Sequence, residues 1–174
     1  MEETYCDALR FAIEFEKKSE DFYLMAKNRV NDEFAKKALD FIAADEEKHA
    51  KKIQAFNKAL VKDIDFDLKS ECTSDLPDQL NDFVDKTIVK EEGKIEADAN
   101  DIAIYDVALD MEKRGYDAYK NTSLDDDEDI RVKIFFKFLA DQEIVHYNLL
   151  KESKKYLQDS SYYFEDYGGW IFNE

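Results

Sequence analysis

A chain of 174 residues is long enough for one compact domain with its own core, and 44% hydrophobic residues, among them 13 Phe and 10 Tyr, exclude a disordered segment. With 4 Gly and 1 Pro the sequence lacks the turn chemistry of a many-stranded sheet, so the predicted class is all-α. A formal charge of -17 repels nucleic acid and anionic membrane surfaces alike and favours cations as guests.

The chain opens on "MEETYCDALRF", which has neither a basic nor an apolar leader region, and no window approaches the length of a membrane span. A cytoplasmic location is the resulting expectation. The first helix is predicted over about residues 3 to 28. It carries Glu16 and, seven positions on, Tyr23, on one stripe of the helix with Ser19 between them. A short polar turn with Asn31 or Asp32 as N-cap leads into a second helix over about 32 to 61. Within it "FIAADEEKHA" places His49 three residues after Glu46. Cys6 and Cys72 stand far apart with no Cys-x-x-Cys pair, which provides neither a thiolate metal site nor a redox dithiol.

From about 62 to 100 the pattern weakens around Pro77, and a long crossover is expected there, with one short helix near about 80 to 92. The third helix, over about 101 to 121, holds Glu112 and Tyr119 with Gly115 between them. Next, "NTSLDDDED" gathers carboxylates before a fourth helix over about 126 to 157, where the macrodipole favours them. In that helix "FLADQEIVHY" places His146 three residues after Glu143. The domain is expected to span about 1 to 158, followed by an aromatic tail over about 159 to 174 that packs on the bundle or on a partner subunit. A homodimer is the expected assembly.

The chain repeats itself. "AIEFEKKSEDFY" from Ala12 aligns without gaps on "ALDMEKRGYDAY" from Ala108, and the two Glu-x-x-His segments align through the only histidines in the sequence. One helical hairpin is thus written twice. Two hairpins joined by a long connection between the second and third helices have the connectivity of ferritin-like four-helix bundles.

Residues three apart on a helix share a face, so Glu46 with His49, and Glu143 with His146, project together. Glu16 and Glu112 lie at matching levels of the other two helices. Four carboxylates and two imidazoles therefore meet inside the bundle, where the carboxylates alone would repel one another. Two divalent cations cancel the four negative charges. A mixed oxygen and nitrogen shell without thiolate suits iron or manganese and also accommodates zinc. Tyr23 and Tyr119 either pack in the core or donate a phenol hydrogen bond to a carboxylate of the site, and Asp45 and Gln142 stand where they can accept the outer ring N–H of a histidine.

Carried by Glu16 with Tyr23, Glu46 with His49, Glu112 with Tyr119 and Glu143 with His146, the sequence resembles the rubrerythrin branch of the ferritin-like di-iron proteins. The resemblance implies two irons per chain, bridged by Glu46 and Glu143, with Glu16 and Glu112 as terminal ligands. It also implies an oxidoreductase that reduces hydrogen peroxide or dioxygen. The four-cysteine electron-relay segment of rubrerythrins has no counterpart in this sequence, so the electron donor is expected to be a separate protein. Many rubrerythrins carry a second glutamate at the position of Gly115, and with Ser19 as its repeat partner the small residues are expected to leave room for a small exogenous ligand. Two other classes use the same constellation: a ferroxidase or iron carrier, and a bundle whose metal is purely structural.

Overall fold

The computed structural model describes residues 7–72 and 98–159. Among these residues the chain forms helices only: α1 (Asp7–Lys27), α2 (Glu33–Val61), a single turn α3 (Leu68–Glu71), α4 (Ala99–Leu124) and α5 (Ile130–Gln158). The four long helices fall within a few residues of their predicted positions. The turn α3 is not among the predicted elements, while the short helix expected near 80 to 92, Cys6 and the tail from residue 160 onward lie outside the described residues. None of the described helices is long and apolar enough to cross a membrane.

Aspartates set most of the helix starts. Asp32 caps α2 by accepting from the Ala35 N–H at 2.9 Å, and Asp129 caps α5 by accepting from the Arg131 N–H at 2.7 Å. Asp98 accepts from the Asn100 and Asp101 N–H groups at the start of α4. Each satisfies donors that the first helical turn leaves without partners. Of the acidic run before α5, only Asp129 caps the helix. Asp125 instead ends α4, its N–H bonding to Thr122 O.

Helices pack most extensively within each hairpin, α1 on α2 and α4 on α5, with smaller contacts between α2 and α5 and between α1 and α4. The hairpins meet antiparallel: Phe34, near the start of α2, packs on Tyr156 near the end of α5, and Phe56 near the end of α2 stacks on Phe135 near the start of α5. Buried Asp101, in the first turn of α4, accepts from the backbone N–H of Asn31 in the α1–α2 turn. The start of α4 therefore sits beside the start of α2. Since α2 is 29 residues long, the chain between Val61 and Asp98 has to return about 43 Å along the bundle, which is why that connection is long.

The core is divided in two. One apolar cluster gathers Tyr23, Phe34, Leu39, Ile42, Tyr105 and Leu149 toward the α1–α2 turn. The other gathers Leu9, Ile53, Phe56, Tyr119, Phe135 and Phe136 toward the opposite end. Between them each long helix carries charged side chains into the interior. The Glu-x-x-His helices are the more enclosed, with 14 buried residues in α2 and 16 in α5 against 7 in α1 and 6 in α4.

Candidate metal centre

The polar layer contains Glu16 from α1, Glu46 and His49 from α2, Glu112 from α4, and Glu143 and His146 from α5, all buried. They form two overlapping groups of potential ligands. In one, single ligand atoms of Glu16, Glu46, His49 and Glu143 lie within 4.8 Å of one another; in the other, those of Glu46, Glu112, Glu143 and His146 do. Glu46 and Glu143 belong to both groups. Each outer glutamate is paired with one histidine. The imidazole rings stack, with centroids 5.4 Å apart and planes at 24°.

Both histidines turn Nδ1 toward the carboxylates. His49 Nδ1 lies 3.0 Å from Glu46 Oε2 and 3.5 Å from Glu16 Oε2. His146 Nδ1 lies 3.5 Å from both Glu46 Oε1 and Glu112 Oε2.

The tyrosines pack and hydrogen-bond at once. Each is fully buried, and each reaches the glutamate of the other hairpin: Tyr119 Oη donates to Glu16 Oε1 at 2.6 Å, and Tyr23 Oη donates to Glu112 Oε1. Burial and the adjoining carboxylates, Glu112 for Tyr23 and Glu16 for Tyr119, push both phenols well above their ordinary pKa, so they stay protonated donors.

These contacts leave one oxygen of each outer glutamate without a hydrogen bond. Glu16 Oε2, Glu46 Oε1, Glu112 Oε2, both oxygens of Glu143 and His146 Nδ1 are buried and make none. Unpartnered buried polar atoms in this number are costly unless a cation or bound protons satisfy them. Their chemistry, carboxylate oxygen and imidazole nitrogen with no sulfur, fits iron and manganese and also admits zinc.

The electrostatics describe a site that holds protons when it holds no metal. Burial, reinforced by Glu16, pushes the Glu46 carboxyl up to about 8. Burial together with Glu112 and Glu46 pushes Glu143 well above the carboxylate range. Burial opposes protonation of His49, but its contacts with Glu16 and Glu46 raise it to about 10. For His146 burial is likewise outweighed, here by Glu46 and Asp45, and its pKa is raised well above the ordinary value. Glu16 runs the other way: burial would raise it, yet His49 and Tyr119 hold it below the usual value. Glu46, Glu143, His49 and His146 are thus proton holders in the metal-free site, and Glu16 is a stabilised anion.

Gly115 departs from expectation. A Cβ built there would fall 2.3 Å from Glu143 Oε2 and 2.7 Å from Phe15 Cε1. The space beside the glycine is therefore filled by the Glu143 carboxylate and the Phe15 ring, and it leaves no room there for an exogenous ligand. Phe15 is a neighbour of the site that the sequence does not announce; as one phenylalanine among 13 on a helix, it carries no distinguishing signal. Its ring meets Tyr119 edge to face at 6.0 Å. We expect Gly115→Ala to fold, because alanine gains about 1 kcal/mol of helix propensity, the clashing carboxylate is the end of a flexible side chain, and the half-buried Phe15 ring has solvent on one side into which to shift. Metal affinity should nevertheless fall on the order of tenfold or more, since Glu143 has to move. A cobalt titration alongside a melting curve checks this, and unchanged affinity would contradict the contact.

A family model described as Rubrerythrin matches residues 7–154, which include all four long helices up to the end of the polar layer and beyond it. No curated protein and no solved structure gives a significant match. Because the match extends over most of the chain and every residue of the buried layer lies inside it, the protein belongs to the rubrerythrin family.

Proposed function

We propose that the protein is a di-iron carboxylate oxidoreductase that reduces hydrogen peroxide or dioxygen with electrons from a separate donor. The observation that carries this reading is the convergence of orphaned carboxylate oxygens and an imidazole nitrogen on two adjacent positions that share Glu46 and Glu143. When bound, a pair of ferrous ions supplies the two electrons that peroxide, with two protons, needs to become two molecules of water.

In this reading Glu16 and His49 complete one metal position, Glu112 and His146 complete the other, and Glu46 and Glu143 serve both. Tyr119 and Tyr23 fix one oxygen of each outer glutamate and so aim the second oxygen into the site. The two apolar clusters above and below exclude bulk water, which keeps the field of the carboxylates strong.

Catalysis and iron carriage differ in stoichiometry. With ferrous-loaded protein, a chemical reductant and peroxide or dioxygen, the catalyst should turn over many equivalents while its iron stays at about two per chain. Uptake of iron beyond that number, or its release after oxidation, would replace the reading with iron handling. Oxidation by neither reagent within minutes would leave a structural metal.

A further inference from the structure

The two hairpins repeat one another, but they differ at the residue just before the Glu-x-x-His glutamate: Asp45 in α2 corresponds to Gln142 in α5. In the structure Asp45 lies beside both histidines. Its Oδ2 lies 3.1 Å from His146 Nε2 across the bundle and 3.5 Å from His49 Nε2 one turn along its own helix. Because the two rings stack, their Nε2 edges lie side by side and face the same oxygen. The other oxygen, Oδ1, accepts from Lys48 Nζ at 3.0 Å, so the carboxylate is held from outside as well.

A neutral imidazole carries its proton on one nitrogen only. With Nδ1 of both rings turned toward the glutamates, a lone pair there requires the proton on Nε2, and an ionised carboxylate can accept from more than one donor. We propose that Asp45 is the positioning residue for both histidines, one carboxylate that holds both Nε2–H groups and thereby directs both Nδ1 lone pairs to the metal positions. The inference rests on the metal-ligand reading of His49 and His146 given above. It makes the two positions interdependent through a residue that belongs to only one of the repeats. Asp45, His49 and His146 also lie close enough together to act as three ligands of one cation. That arrangement would need the lone pairs on Nε2 instead, so the two are mutually exclusive.

The chain contains two histidines, so ¹⁵N-histidine labelling reports each ring separately. In zinc-loaded wild type we expect both rings to bind through Nδ1 and to show slowly exchanging Nε2–H signals. Asp45→Asn keeps the shape and weakens the acceptor; both Nε2–H signals should move and exchange faster. Zinc affinity at both positions should fall together, about 10–100-fold. Asp45→Ala should show the same pattern more strongly, with helicity checked by circular dichroism, and Glu47→Ala, on the exposed face, should change neither ring. Movement of the His146 signal alone would overturn the shared role. A third zinc in wild type that is lost from Asp45→Asn would overturn it in favour of a cation held by Asp45. Failure of the metal-ligand reading itself is told apart because it is visible in wild type, as rings that do not bind zinc through Nδ1.

Discussion

Stripped of metal, the protein should lose stability steadily as pH rises, while the metal-loaded form should not. Glu46, Glu143, His49 and His146 all bind protons more tightly in the folded chain than their ordinary values allow. Each contributes stability to the metal-free fold that is complete below its unfolded pKa and is lost as pH climbs through its folded one. The window for Glu46 runs from 4.5 to about 8, and that for His49 from 6.5 to about 10. Metal binding has the opposite dependence, because it needs the same groups deprotonated. The difference in Tm between loaded and stripped protein should therefore be small near about pH 5.5 and large near about pH 8.5. A cation at about a thousand times its Kd contributes about 4 kcal/mol per site, which for two sites in a chain of this size corresponds to roughly 15–30 °C. Melting curves of chelator-treated and zinc-loaded protein across that range measure it. A gap independent of pH, or a stripped protein that gains stability toward pH 8.5, would mean that the carboxylates do not share one buried layer.

Ligand removal should separate metal binding from stability. His146→Ala removes the imidazole of one position and should leave about one tightly bound metal per chain. Glu143→Ala removes a carboxylate common to both positions, so both weaken and metal content falls well below two. Glu47→Ala should retain the full complement: its side chain is 51% exposed and pairs with Lys51 on the surface. Glu143→Gln adds a second readout. Glu143 lies deep in the acidic layer without a hydrogen bond on either oxygen, and burial with Glu112 and Glu46 disfavours its charged form, so a neutral isostere spares the metal-free protein that cost. That variant should lose metal yet melt several degrees higher than wild type once both are stripped. Metal analysis after gel filtration, paired with melting curves, checks all four proteins. Equal metal loss in Glu47→Ala would sink the assignment, and a stripped Glu143→Gln protein less stable than wild type would show that this carboxylate contributes to the metal-free fold.

Helical spacing and the internal repeat together make most of the layer legible in the sequence. Glu46 with His49 and Glu143 with His146 stand out because the chain has two histidines and both follow a glutamate at the spacing of one helical face. Glu16 and Glu112 emerge from the repeat, each seven residues before a tyrosine. Periodicity reports which face a residue occupies, however, and not what stands opposite it. That Tyr23 meets Glu112 and Tyr119 meets Glu16 depends on α1 lying antiparallel beside α4, a relation set by packing over long sequence distances. The same holds for Asp45, whose nearer histidine is on another helix, and for Gly115, whose neighbouring space is filled from α1 and α5. The turn α3 is too short for any periodic signal.

The crossed tyrosine bonds have a consequence for how folding can be followed. Each hairpin contains the phenol that holds the other hairpin's glutamate, so neither half completes the layer alone. A chain whose helices were formed but whose hairpins had not docked would look native by far-ultraviolet circular dichroism and would still lack Glu46 and Glu143 side by side, the pair both proposed metal positions share. Metal capture is thus a clock for docking rather than for helix formation. Cobalt absorbance recorded during refolding would time the closing of the two halves on each other, a step that helical signals pass over.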